Sequence, residues 1–146
     1  LSETSLKMLK GVHPNLVNFM TELIKISPWN FKIIAGVRTA EEQNKLYQKG
    51  RTAPGTKVTN VDGYKLKSNH QIKYDGLGYA ADIGVIVNGE YKGTWKDFHY
   101  YQDIYNAAKR AGLLEKYGIE WGGNCWRTFK DAPHWQIKGA DRVAYK

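Results

Sequence analysis

The residues in this sequence best suited to chemistry are a dispersed set of histidines and acids. Of its four histidines, two stand where a ligand would be firmly held, His70 in Ser68-Asn69-His70 and His134 in Asp131-Ala132-Pro133-His134-Trp135. Asp82 opens a run whose other residues are apolar, where a carboxylate is costly unless a cation or hydrogen bonds compensate it. Two imidazoles and one carboxylate, with a fourth position open to water, are a donor set for a catalytic zinc ion. Each group also has an ordinary reading. A lone histidine is commonly a surface or hydrogen-bonded core residue, Asp82 would serve as a turn cap, and Asp131 before Ala-Pro as a turn former. Taken singly, none of them assigns a function.

Regular elements must position these groups. His13 to Ser27 sets Leu16, Met20, Leu23 and Ile24 at helical spacing, with Pro14 in the first turn. Phe31 to Val37 predicts a core strand that delivers Arg38 to its end. Thr39, followed by Glu41 and Glu42, predicts the N-cap of a helix that runs through Tyr47 and stops at Gly50. Arg51 to Tyr79, dense in Gly, Asn, Asp, Lys and Thr, reads as a long loop with a hairpin around Asn60 to Lys67 and with ligand contacts. Ala80 to Val87 predicts a buried strand, ended by the Asn88-Gly89 turn of a hairpin that returns through Tyr91. Lys96 to Ala111 predicts a second long helix stopped by Gly112. Ile119-Glu120-Trp121, a break at Gly122-Gly123-Asn124 and a last strand at His134 to Ile137 complete the pattern. The fold class expected is α+β, one domain over residues 1–146 with helices packed on a small antiparallel sheet.

Composition bounds the alternatives. A chain of 146 residues has room for one buried core, so its functional residues should share one site. With 42% hydrophobic residues and 15 glycines it is an ordered, turn-rich protein. A net charge of +8 attracts polyanions. The basic residues are nevertheless scattered, and no nucleic-acid-binding motif accompanies them, so specific nucleic-acid binding is not expected. Cys125, the one cysteine, cannot form an internal disulfide and reads as a packed thiol. No apolar run nears the roughly 20 residues that span a bilayer, and no signal-peptide pattern opens the chain. Leu1 in place of Met predicts a trimmed or processed chain.

Four separated blocks together carry a resemblance. They are Gly36-Val37-Arg38-Thr39 with Gln43, Leu46-Tyr47 and Gly50-Arg51-Thr52; Ser68-Asn69-His70; Gly78-Tyr79-Ala80-Ala81-Asp82; and Trp121-Gly122-Gly123-Asn124 with Asp131-Ala132-Pro133-His134. In this order they resemble the zinc D-Ala-D-Ala carboxypeptidase and L-alanyl-D-glutamate endopeptidase family, which includes VanY-type enzymes and phage endolysins. One spacing departs from it: the family commonly keeps seven positions from the His to the Asp ligand, whereas His70 and Asp82 lie twelve apart. The five extra residues fall within Gln71 to Leu77, bring in Asp75 as a rival ligand, and could shape a substrate cleft. Asp82 is preferred because an apolar strand can fix it, while Asp75 beside Gly76 has the look of a solvated turn.

The resemblance implies a hedgehog/D-Ala-D-Ala peptidase-like fold and a Zn2+ ion on His70, Asp82 and His134 that activates water. Cobalt or manganese would suit the same ligands. It implies Asp131 as general base and Arg38 as the cation that steadies the oxyanion, against a structural salt bridge from Arg38 to Glu41 or Glu42. Ser68, Trp121, Trp126 and Trp135 are candidates for contact with substrate; His13 and His99 are given no role. Asp rather than Glu before the last His resembles the endolysin branch, which favours cleavage between L-Ala and D-Glu of bacterial peptidoglycan over removal of terminal D-Ala. A wall-binding zinc domain without catalysis is the reading from another class. The implied protein is a monomer made in a host cytoplasm and released at lysis to act on the wall.

Overall fold

Residues 1–125 and 131–146 are described by a computed structural model; Trp126 and the side chain of Cys125 lie outside the described residues. Ser2 caps a short helix, α1 (Glu3–Met8), that sequence periodicity did not announce. Pro14 in the first turn begins α2 (Pro14–Ile26), and His13 caps it by accepting from the Asn15 N–H. β1 (Asn30–Ala35) is followed by α3 (Ala40–Gln48), whose predicted cap is a full capping box between Thr39 and Glu42. β2 (Ala80–Val87) turns through Asn88 and Gly89, both at positive φ, into β3 (Glu90–Lys92). A 3-10 turn at Trp95–Asp97 leads into α4 (Phe98–Arg110), so the predicted helix opens with a tighter turn. α5 (Leu113–Tyr117), β4 (Ile119–Trp121), α6 (Gly122–Cys125) and β5 (His134–Ile137) follow.

Two expectations are corrected here. Residues 60–67 form no hairpin strands: the Asp62 carboxylate accepts from the Tyr64 and Leu66 N–H groups and gathers the chain into a side-chain-centred turn. The Gly122-Gly123-Asn124 break is the helical turn α6. Glycine is required at position 122, because a Cβ there would lie 2.6 Å from the Asp131 carbonyl.

The sheet is antiparallel throughout, with strand order β1-β2-β5-β4 and β3 also on β2. This bears out the α+β expectation. Strand alternation divides it into two faces. Phe31, Ile33, Ala81, Ile83, Val85, Ile119, Trp121 and Trp135 join the core with Leu16, Phe19, Met20 and Leu23 of α2 and Tyr101, Ile104 and Ala108 of α4. Their strand neighbours Asp82, Glu120, His134 and Gln136 fall on the opposite face, which the helices leave open. No helix among the described residues is long and apolar enough to cross a membrane.

At the β1 bulge the Ile33 N–H donates to Ser5 Oγ, which fastens α1 to the sheet at 3.0 Å. Gly36 then passes so close to α1 that a Cβ would stand 1.9 Å from the Met8 carbonyl. Gly36→Ala is therefore expected to cost about 1–3 kcal/mol or more through overpacking. Urea unfolding should show this as a lower midpoint with an unchanged slope, and a loss under about 0.5 kcal/mol would contradict the close packing.

Candidate metal centre

His70, Asp82 and His134 are brought together on the open face, each with a donor atom within 4.8 Å of the others'. Sheet register does half of this work. Asp82 and His134 are directly paired across β2 and β5, so their side chains rise side by side. His70 arrives from the loop, which the Arg38 N–H and Tyr79 N–H fasten by donating to the His70 and Asn69 carbonyls, each at 2.9 Å. Both imidazoles are buried.

Hydrogen bonds fix which nitrogen of each ring faces inward. His70 Nδ1 lies 2.8 Å from the Gly36 carbonyl, which can only accept, so Nδ1 carries the proton and Nε2 presents its lone pair. His134 Nε2 lies 2.7 Å from Gln136 Oε1. The Gln136 amide is itself oriented, because its Nε2 donates at 2.7 Å to the Glu120 carboxylate. His134 therefore donates through Nε2 and turns Nδ1 inward. Asp82 Oδ1 stands 3.3 Å from His70 Nε2 and 3.2 Å from His134 Nδ1. Three lone-pair-bearing atoms facing one another repel unless a cation lies among them. Outer hydrogen bonds that aim imidazole lone pairs in this way are what metal sites use, and the donor set fits a divalent ion.

The electrostatics follow. Burial holds the His70 imidazole below its usual pKa, which keeps it neutral and able to coordinate. For His134 burial pulls downward, but the hydrogen bond and charge of Asp82, with Asp131 and Gln136, outweigh it and raise the pKa. Burial would raise Asp82, yet its carboxyl is held well below the usual range, because an imidazole that takes a proton on its inward nitrogen becomes a charged donor to it. Its second oxygen, Oδ2, takes the Arg38 guanidinium at 3.2 Å. Asp131 lies outside the three-donor group but lines the same cleft. Burial first, and then the negative charge of Asp82, push its carboxyl up to about 6.

A cleft of about 990 Å³ opens over this group, and Arg38, Ser68, Asp131 and all three donors line it. Arg38 pairs with Asp82 and donates to Gln43 at 3.2 Å, so the expected alternative partners Glu41 and Glu42 do not hold it. Glu42 is occupied by the capping box. Ser68 also caps the turn before His70, accepting from the His70 N–H. Trp121 and Trp135 are corrected: both are fully buried, stacked 5.9 Å apart in the core, and cannot touch substrate. The cause is alternation, since Trp135 lies between two residues of the open face. Asp75 is not a rival ligand; it accepts from Tyr79 Oη at 2.5 Å and from the Leu77 N–H, away from the donor group. Glu120, Gln136 and Gln43 carry roles that sequence reasoning missed. Period-two alternation from His134 would have flagged Gln136, while Glu120 is brought in by its cross-strand pairing with Gln136.

A family model described as phage L-alanyl-D-glutamate peptidase matches residues 1–137. The chain belongs to this family. It is 32% identical over 105 residues to the peptidoglycan L-alanyl-D-glutamate endopeptidase CwlK of Bacillus subtilis (strain 168), which covers 72% of the chain and 59% of CwlK. The chain thus spans about three fifths of the length of that relative. The crystal structure of the Serratia marcescens L-Ala D-Glu endopeptidase ChiX superposes with a TM-score of 0.69 at 28% identity, over 97% of this chain and 92% of that one.

A divalent ion among the three donors should raise the melting temperature and compete with protons. At 100 times its dissociation constant it adds about 2.7 kcal/mol, and affinity should fall as pH drops and His134 takes up a proton. Calorimetric titration at two pH values checks this; equal stability with and without metal would remove the site. Asp82→Ala should abolish the stabilisation.

Proposed function

We propose that this protein is a zinc-dependent peptidase that hydrolyses the L-alanyl-D-glutamate bond of bacterial peptidoglycan stem peptides, acting at the cell wall. The observation that carries the reading is the convergence of three inward lone pairs beside a carboxyl of raised pKa, in an open cleft of a chain of this family. Two imidazoles and a carboxylate suit zinc better than harder ions. Zinc, when bound, supplies Lewis-acid polarisation to water and to the scissile carbonyl. Asp131 takes the proton of the attacking water and passes it to the leaving amine, a task suited to a carboxyl whose proton affinity burial raises. Arg38, held by Asp82 and Gln43, is a fixed cation for the negative charge that develops on the carbonyl oxygen.

The leaving side of such a substrate is a glutamate, whose second carboxyl remains free when only one continues the peptide. Lys49, Lys57 and Lys67 line the cleft and offer it positive charge. These contacts are exposed, so salt should raise KM more than it lowers kcat.

Digestion of purified peptidoglycan, with mass spectrometry of the new ends, tests the reading. New N-terminal D-Glu that requires zinc is expected; released D-Ala would make the protein a carboxypeptidase. No cleavage of several wall types by folded, zinc-loaded protein would leave a binding module. kcat/KM should fall on the acid side as Asp131 takes up its proton, at a pH below the value of about 6 that burial and Asp82 give it without metal. Asp131→Asn should lower kcat by about 10²–10⁴-fold while zinc still binds.

A further inference from the structure

The longer His70–Asp82 connection does not shape the cleft: no residue from 71 to 77 lines it. It serves instead as a dock for residues 140–146, all of which lie beyond the part of the chain that the family model matches. The Tyr74 N–H donates to the Ala144 carbonyl at 2.9 Å, the Lys146 N–H to the Ile72 carbonyl at 3.3 Å, and Lys73 bridges to Tyr145. Between them lies Lys73, fully buried, with no carboxylate in salt-bridge range among the described residues. Burying a cation this way is costly, and an aromatic ring and an amide oxygen offset it, with the charge of Asp141 acting from farther off. Its Nζ stands 3.6 Å over the Tyr145 ring and donates at 2.7 Å to Asn69 Oδ1.

That last bond settles the Asn69 amide. With Oδ1 taken by an ammonium, Nδ2 must face acceptors, and it donates to Asp141 Oδ1 at 2.7 Å and Gln136 Oε1 at 3.1 Å. Tyr145 Oη adds a longer contact to Asn69 Oδ1 at 3.4 Å. Gln136 Oε1 is the atom that accepts from His134. Asn69 precedes His70 in the chain and reaches across to the partner of His134, so one side chain spans both imidazole ligands. A cation on its oxygen polarises the amide and strengthens its donation.

We propose that residues 71–77 and 140–146 form a latch, held by Lys73 and Tyr145, that makes Asn69 the positioning residue keeping His70 and His134 in register for metal. The inference rests on the metal reading above. It is tested by zinc affinity in chelator competition, together with the protonation of the His134 ring nitrogens by two-bond ¹H–¹⁵N correlation. Lys73→Met, which conserves volume, and Tyr145→Ala should each weaken zinc binding by about 10–100-fold and blur the Nε2–H form of His134. Tyr145→Phe, which keeps the ring over Lys73, should stay within about threefold. A latch that only stabilised the fold would lower the melting temperature in chelator but leave zinc affinity and the tautomer unmoved, and that result overturns the proposal. Should both disruptive variants fail to fold, the parent decides: Asn69 side-chain amide protons must be protected from exchange, and solvent-like exchange overturns it. A parent that binds no zinc would sink the metal reading itself, whereas a zinc-binding parent with insensitive variants sinks the latch alone.

Discussion

The repulsion among three lone pairs is the constraint on which the rest of this structure depends. His70 Nε2, Asp82 Oδ1 and His134 Nδ1 are held face to face although none can donate to another without an added proton. The group persists because each ring is pinned from behind, one by the Gly36 carbonyl and the other by Gln136. Folding free energy thus holds together three donors that could take a metal ion without being rearranged.

Sheet register is the second determinant. Asp82 opposes His134 and Glu120 opposes Gln136, so two ladder pairs deliver four polar residues to one face and leave Trp121 and Trp135 to the other. A slip of one residue would reverse this, placing the tryptophans over the cleft and the ligands in the core. The packing of Trp121 on Tyr105 and of Trp135 on Phe19 is thus part of what keeps the site in place.

The charges around the gap also depend on one another. Asp82 is shared between the imidazoles and Arg38, while its field, with burial, raises Asp131. A dication beside Asp82 opposes that field, so metal and base are linked: loading the site lowers the proton affinity of the group proposed to accept a proton.

Much of the fold was legible in the chain. Apolar spacing marked α2, α4, β1 and β2, Thr39 with Glu42 marked the start of α3, and Asn88-Gly89 marked the hairpin, since these signals are local and their physics acts within a few residues. Ligand types and the acid at Asp131 were legible too, through motif blocks rather than periodicity. The short helices α1 and α5 were not, because helices of one or two turns have little periodicity and are held by tertiary contacts such as Ser5 with the β1 bulge. Sequence therefore determined the donor chemistry and the strands that carry it. Only the tertiary structure decided that Arg38 turns to Asp82, that the tryptophans are core, and that Lys73 and Tyr145 meet behind Asn69. Those outcomes depend on strand register and on contacts between residues tens of positions apart, which no local pattern encodes.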